Sequence, residues 1–241
     1  MRSWNADKQI KRITLSGKFR SLPGQTPGLV LHDTPGPNNS QDSRHADLAF
    51  EAVRSVPFKT LLYVLNASQL GTYDDRNVLE RLREEAPPKS HDAFCFVLNK
   101  VDLLDPEKGE ALAEYVAKAQ AYLTGIGFDN PVVIPSMAST ALYAKKALAH
   151  EPLSRLQRLK LQQALNGLSM SRYALLESAQ APVLVKKRVF QSLYRLEKAY
   201  KADRTNHRPT RENELRQLII CSGLGTVEAF IKHQRKLSAP A

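Results

Sequence analysis

The first 150 residues alternate short apolar runs with longer amphipathic stretches, and this alternation limits the possible folds more than any other feature. A short apolar run fits a strand buried on both faces, and an amphipathic stretch fits a helix that covers the sheet. Repetition of this unit predicts an α/β fold with a mostly parallel sheet and right-handed crossovers. Strands are predicted at residues 10–19, 29–32, 61–66, 93–98 and 132–135. Helices are predicted at residues 46–55, 75–85, 107–123 and 139–148.

The remaining residues, 151–241, lack strand signals and carry leucines at helical spacing. Because proline breaks a helix, Pro182 and the polar segment 202–211 divide this part into about three predicted helices. The last helix is predicted to begin near Gly225. The sequence therefore predicts two domains: an α/β part over residues 1–150 and a basic α-helical extension over residues 151–241.

The net charge of +11 lies almost wholly in the predicted extension. Residues 1–150 hold 18 Lys and Arg against 17 Asp and Glu, whereas residues 151–241 hold 17 against 7. Such a positive field favours nucleic acid, anionic lipid or an acidic protein as partner. The alternative is a solvated basic face on helices that pack through their other face. Helical spacing favours core positions over stacking surfaces for the aromatic residues nearby: Tyr173, Phe190, Tyr194 and Tyr200.

Several classes of protein are disfavoured by composition. No apolar stretch approaches the roughly 20 residues that cross a bilayer, and the first residues form no signal-peptide core. Cys95 and Cys221 lie in apolar surroundings without metal-ligand spacing, so both are predicted to be small core residues. The six histidines form no ligand-spaced pair. A soluble, cytoplasmic protein without a disulfide framework or zinc site is expected.

A first polar motif follows the predicted strand at residues 29–32, where Asp33, Thr34, Pro35 and Gly36 form a tight turn. Ligands of open α/β sheets bind beyond the carboxyl ends of the strands. A carboxylate there can hold Mg²⁺, and a glycine lets its N–H approach a terminal phosphate. Pro-Gly after a strand is also a common structural turn, so both interpretations stand.

A second motif, Asn99-Lys100-Val101-Asp102, follows the apolar run at residues 94–98. The Asp102 carboxylate can accept two hydrogen bonds from adjacent N–H donors, a pair that guanine offers and adenine does not. Lys100 can lay its aliphatic stem along the base, and Asn99 can tie neighbouring loops together. The alternative is a polar loop with an aspartate that caps the next helix.

A third motif runs from Ser136 to Ser139, where a predicted strand turns into a helix. Its hydroxyl and N–H groups can contact a base carbonyl, although serine before a helix is more often a cap. All three motifs lie at predicted strand ends and follow one order along the chain. Their joint occurrence by chance is therefore not expected.

This order of motifs resembles the third, fourth and fifth nucleotide motifs of the translation-factor-related P-loop GTPases, and most of all the bacterial dynamin-like GTPases. Residues 31–38 are similar to a clamp-binding branch of that family, and the likeness covers about residues 8–150. The resemblance implies a Ras-like, dynamin-type G domain that binds GTP or GDP with Mg²⁺. It also implies self-association and a location at a membrane or nucleoid, with anionic lipid, DNA or a replication-clamp protein as partner.

Carried over to this sequence, the resemblance makes Asp33 a Mg²⁺-linked switch residue, with Thr34 beside it and Gly36 as a contact of the terminal phosphate. Asn99, Lys100 and Asp102 become guanine readers, and Ser136 becomes a minor base contact. The helical extension, residues 151–241, is expected to complete the G domain, to form the start of the bundle that follows a dynamin G domain, or both.

The phosphate-binding loop of that family is missing, because nothing in the 241 residues matches Gly-x-x-x-x-Gly-Lys-Ser/Thr. The family's first strand, at the centre of the sheet, is therefore also expected to be missing. We expect a GTP-binding fragment that hydrolyses GTP very poorly or not at all, since that loop supplies most of the transition-state stabilisation. The alternative is a degenerate, non-enzymatic module that binds DNA, anionic lipid or an acidic protein through its basic half.

Overall fold

A computed structural model describes residues 29–36, 44–86, 93–202 and 211–237. The chain falls into two compact units, Met1–Asp33 and Thr34–Ala241. In the first unit the described residues, 29–33, have no regular secondary structure, and the strand predicted at residues 10–19 lies outside the described part. All helices and strands named below belong to the second unit.

The second unit begins as an α/β protein and continues as a set of helices. The α/β part consists of α1 (Arg44–Ser55), β1 (Leu61–Asn66), α2 (Tyr73–Glu85), β2 (Phe94–Asn99), α3 (Leu112–Ile126), β3 (Val132–Ser136) and α4 (Ala138–Leu148). The helical part consists of α5 (Arg155–Ser171), α6 (Ala174–Ser178), α7 (Val183–Ala202), α8 (Arg211–Cys221) and α9 (Leu224–Leu237). Short 3₁₀ turns occupy Ala67–Gln69, Val101–Leu103 and Pro106–Lys108.

The three strands form one parallel sheet in the order β1-β2-β3. One helix connects each strand to the next, as parallel pairing requires. The predicted α/β class, the parallel sheet and the last three predicted strands are therefore confirmed. These strands are short and rich in apolar residues, and all six residues of β2 are buried or partly buried.

The strand predicted at residues 29–32 is wrong, because the described chain is irregular there. Val30 and Leu31 are 68% and 58% exposed, so the apolar run is not covered by another layer. A run of this kind becomes a strand only where a neighbouring strand satisfies its backbone and a second layer covers its side chains.

The helix predicted at residues 107–123 begins later, at Leu112. A polar loop replaces its first turn, because the Glu107 N–H donates to Asp105 Oδ1 at 3.1 Å. The Asp105 N–H in turn donates to Glu110 Oε2 at 2.7 Å. Local side-chain bonds of this type compete with helix formation. The helix then runs on past the predicted end to Ile126, where Gly127 closes it with φ of 104°.

The helical part holds five helices in its described residues, whereas about three were predicted. Pro182 interrupts the chain as expected, since α6 ends at Ser178 and α7 begins after this proline. Gly223, with φ of 89°, separates α8 from α9. α9 begins at Leu224, so the prediction that the last helix starts near Gly225 is confirmed.

Two layers of helices enclose the sheet. Phe94, Phe96 and Leu98 of β2 face one apolar cluster, which contains buried residues of α2 and α3. Cys95 and Val97 of the same strand point to the opposite face, since successive side chains alternate. There they pack with Ile134 of β3 and with residues of α7 and α9: Val185, Val227 and Phe230. The helical extension therefore supplies the second layer of the α/β fold.

Both cysteines are free and buried, which confirms their prediction as core residues. Burial raises the pKa of the Cys95 thiol, and it raises the pKa of Cys221 to about 12. Neither thiol is therefore ionised near neutral pH, and neither is a reactive nucleophile.

Candidate functional site

The carboxyl ends of the three strands carry a row of polar side chains. Asn66 of β1 lies in register with Asn99 of β2, and Asn99 lies in register with Ser136 of β3. This edge is where open parallel sheets bind their ligands. The predicted base-reading motif and the predicted Ser136 motif are thus neighbours in the fold.

Asn99 joins the two loops that leave this edge. Its Oδ1 accepts a hydrogen bond from the Ala138 N–H at 3.1 Å, so the loop after β2 is held against the start of α4. The sequence suggested such a tie for this side chain. The bonded Asn99 side chain is partly buried, and the hydrogen bond therefore fixes the position of the loop that follows it.

Lys100 takes a left-handed backbone conformation, with φ of 65°. For a residue with a long side chain this conformation is costly, by about 1–3 kcal/mol, and it persists only where surrounding contacts hold it. The Leu103 N–H donates to the Lys100 carbonyl at 3.0 Å and closes the following 3₁₀ turn. Asp102 lies in that turn with an exposed side chain. The strained residue therefore turns the chain so that this carboxylate is open to solvent.

Ser136 is fully buried, and its Oγ has no hydrogen-bond partner. The residue lies against the turn between α8 and α9, where the Met137 N–H donates to the Ser222 carbonyl at 2.8 Å. Gly223 allows this approach, since a Cβ there would lie 2.0 Å from the Pro135 carbonyl oxygen. In this arrangement the hydroxyl of Ser136 faces the interior, and its contact with a base remains a prediction.

Asp33, Thr34 and Gly36 are all exposed and lie in irregular chain. Asp33 belongs to the first compact unit, and Thr34 begins the second. Their contacts with Mg²⁺ and phosphate remain predictions. No group of three His, Cys, Asp or Glu side chains suited to a metal occurs in the part of the chain that is described.

Asn66 is a residue of this edge that belongs to none of the three sequence motifs. Its Oδ1 accepts bonds from the Ser68 N–H at 3.3 Å and from the Ser68 hydroxyl at 3.0 Å. Its Nδ2 donates to Gln69 Oε1 at 2.9 Å, so the side chain shapes the loop after β1. The signal was present in the sequence, because Asn66 ends an apolar strand just as Asn99 does.

A cavity of about 340 Å³ lies between the loop after β1 and helix α3. Residues 67–72 form one side of it, and Tyr115 and Lys118 form the other. The Lys118 ammonium lies 5.0 Å from the centre of the Tyr115 ring, within range of a cation–π contact. None of the site residues predicted from the sequence lines this cavity.

A carboxylate shared by two tyrosines joins β1, α2 and α3. The Tyr63 hydroxyl donates to Asp75 Oδ1 at 2.9 Å, and the Tyr122 hydroxyl donates to Oδ2 at 3.4 Å. Burial raises the pKa of Asp75, although both tyrosine bonds oppose the rise. Burial likewise raises the pKa of Tyr63, and it raises the pKa of Tyr122 to about 12. Because the carboxylate and the two hydroxyls satisfy one another's hydrogen bonds, we interpret this cluster as a structural one that holds β1, α2 and α3 together.

The fold and this edge define a parallel α/β protein, compatible with a Rossmann-like fold, that has polar side chains at the carboxyl ends of its strands. Comparisons of the chain with protein-family models, with curated proteins and with solved structures find no match. No helix in the described ranges is long and apolar enough to span a membrane.

Proposed function

We propose that the chain is a guanine-nucleotide-binding module of the dynamin-like GTPase type. One arrangement carries the proposal: Asn99 is tied to the loop after β3, and the strained Lys100 then presents an exposed Asp102 at the ligand-binding edge of a parallel sheet. A left-handed backbone at a residue with a long side chain, at this edge of the sheet, is a reason to expect function.

The chemistry of Asp102 accounts for base preference. A carboxylate can accept hydrogen bonds from N1–H and the N2 amino group of guanine at the same time. Adenine offers an acceptor and a C–H at the matching positions, so the carboxylate would lose its water without gaining partners. That loss costs about 1–3 kcal/mol or more for a charged group, which supports strong discrimination. The aliphatic stem of Lys100 can cover one face of the ring.

Base reading does not require hydrolysis. The 241 residues contain no phosphate-binding loop, whose backbone N–H groups and lysine supply most of the phosphate affinity in this class. We therefore expect selective but weak binding and no phosphate release above the uncatalysed rate. Self-association and binding to a clamp protein, to DNA or to anionic lipid follow from the family resemblance, and they stay predictions.

The first test compares guanosine with adenosine, because nucleosides report base reading without the missing phosphate contacts. Saturation-transfer NMR at millimolar ligand should show preferential binding of guanosine to the 241-residue chain. Asp102→Ala should reduce that preference by at least about tenfold, the effect of losing one charge-assisted pair. Equal binding of both nucleosides by the unaltered chain would contradict the proposal.

Asp129→Ala is the matched control. Asp129 is also an exposed aspartate, but it precedes β3 and so lies at the amino ends of the strands, opposite the candidate site. The same loss of charge there should leave the guanosine preference unchanged. If both variants lose it equally, net charge and not the Asp102 carboxylate determines binding, and the assigned role is wrong.

A further inference from the structure

Helix α7 turns one face to the core and the other to solvent. Val185, Val189 and Leu193, spaced four residues apart, are buried. This buried stripe fixes the helix orientation, because residues at that spacing share one face. The opposite face contains Lys187, Tyr194 and further exposed residues, and we call the group formed by Lys187, Phe190, Tyr194, Arg195 and Lys198 the α7 face.

The α7 face is positively charged. Lys187, Arg195 and Lys198 are exposed, and none of them forms an ion pair with a described residue. The only acidic residue within α7 is Glu197. That carboxylate accepts bonds from the Arg172 guanidinium and from the Tyr173 hydroxyl, so its charge is compensated locally. The three exposed cations thus meet no compensating carboxylate from their own helix.

Aromatic rings lie among these cations. Tyr194 is 65% exposed and Phe190 is 39% exposed, which corrects the prediction that their helical spacing places them in the core. Tyr173 is partly buried, and the Tyr200 side chain lies outside those described. The Phe190 ring packs against Tyr173 with 5.3 Å between ring centroids, so neighbouring helices hold it in place. The prediction is wrong because helical spacing places residues on one face of a helix but does not indicate whether a neighbouring element covers that face.

We propose that the α7 face binds single-stranded nucleic acid. A single strand alternates phosphates with flat apolar bases, and exposed rings interleaved with cations are complementary to that alternation. From Lys187 to Lys198 the helix rises about 16 Å, which is long enough to follow several nucleotides. No acidic side chain of α7 faces the bound strand, and the surrounding segment, residues 151–241, holds 17 Lys and Arg against 7 Asp and Glu.

A bilayer surface fits this face less well. Lipid headgroups lie above the acyl region, so a membrane-binding helix segregates its apolar residues from a cationic border. Here Lys187 lies in the same row as Tyr194 and Lys198, and insertion of the tyrosine would carry both ammonium groups toward the lipid. Val183 and Leu184 are exposed and aliphatic, and both lie at the first turn of the helix. Val183, four residues before Lys187, belongs to the same row, so apolar and cationic residues alternate along it and are not segregated.

The test measures anisotropy of a fluorescein-labelled mixed-sequence oligonucleotide with the 241-residue chain, once with DNA and once with RNA. Binding should weaken by about 100-fold between 20 and 200 mM salt if three phosphates are contacted. Tyr194→Ala should weaken binding by about 5- to 100-fold, whereas Tyr194→Phe keeps the ring and should bind almost as the unaltered chain does. Lys198→Glu should weaken binding and lower the steepness of the salt dependence.

Two exposed residues elsewhere provide matched controls. Tyr73→Ala removes a 78% exposed tyrosine at the start of α2, and Lys108→Glu makes the same charge change as Lys198→Glu. Both should leave oligonucleotide binding unchanged. Circular dichroism melting curves should match for all variants, since every altered side chain is exposed.

Three results would overturn the proposal. One is absence of oligonucleotide binding at 20 mM salt. Another is equal loss of affinity in Tyr73→Ala and Tyr194→Ala. The last is a chain that binds no oligonucleotide but sediments with phosphatidylserine-containing vesicles, when Tyr194→Ala abolishes that sedimentation. Guanosine binding is measured separately, so failure of either proposal leaves the other testable.

Discussion

Gly223 lies where the backbone of the helical part of the protein meets the candidate site. With φ of 89° it occupies a conformation that favours glycine, and its α-carbon faces the Pro135 carbonyl at the end of β3. A side chain there would meet backbone, which cannot rotate away as a flexible side chain can. The carbonyl belongs to the residue just before Ser136, so this contact helps to fix one end of the polar row.

We expect Gly223→Ala to lower the free energy of unfolding by about 2–5 kcal/mol, because left-handed strain adds to displacement of β3. Urea unfolding followed by circular dichroism measures the change. Gly167→Ala, within α5, is the control, since a Cβ there meets nothing within 4 Å. That change should be neutral or stabilising by up to about 1 kcal/mol. Equal destabilisation by both substitutions would show that the close approach to Pro135 is not the cause.

For Asn99 and Asp102 the structure agrees with the predicted placement, while their contacts with a nucleotide stay predictions. Asn99 makes the loop contact that its position suggested, and Asp102 is exposed at the expected edge. The sequence did not reveal that Lys100 is left-handed or that Ser136 is buried, because backbone dihedrals and burial depend on neighbours distant in the chain.

At the scale of elements, β1 differs from the other two strands. Among the described residues only β2 pairs with it, and two of its apolar side chains, Leu62 and Val64, are 38% and 62% exposed. An edge of this kind presents unpaired backbone groups and apolar side chains together. Natural proteins blunt such edges with charges or cover, and β1 carries no charge.

We therefore expect the chain to self-associate through β1 as protein concentration rises, with a second copy covering this edge. Val64→Lys should shift the weight-average mass toward the monomer in sedimentation velocity, because a lysine on an edge opposes strand addition. Leu142→Lys changes a comparably exposed apolar residue, 51% exposed on α4, and should leave the mass unchanged. A monomeric unaltered chain at high concentration, or an equal effect of both substitutions, would contradict this expectation.

Strands were predicted correctly where an apolar run in the sequence is also buried in the structure. The runs that became β1, β2 and β3 are covered on at least one face, whereas the similar run at residues 29–32 is exposed and irregular. Both kinds of run look alike in sequence, because the pattern records apolarity and not the presence of a partner strand.

At the scale of the whole molecule, the sheet depends on helices that follow it in sequence. One face of β2 is covered by α2 and α3, and the other is covered by α7 and α9. Phe230 of α9 is completely buried in the second layer. The basic extension is thus part of the core of the α/β fold, in addition to presenting the α7 face.

Removal of the extension should accordingly unfold the sheet. A chain of residues 1–150 would expose Cys95, Val97 and Ile134, and we expect it to aggregate or to lack a cooperative thermal transition. Calorimetry and binding of a hydrophobic dye measure both outcomes. In the full chain, Phe230→Ala should cost about 3–5 kcal/mol of stability through the same layer. A sharp transition of the 1–150 fragment near that of the full chain would show that the second layer is dispensable.

The sequence by itself determined the α/β class, the parallel sheet, three of its strands, three helices of the α/β part and the residues at the strand ends. Those features follow from periodicity and from local turn chemistry, which act over a few neighbouring residues. Only the tertiary structure decided which apolar runs are covered, which aromatic rings on α7 are exposed and which helices complete the sheet. Such outcomes depend on contacts between residues far apart in the chain, and a one-dimensional pattern does not specify which partners meet.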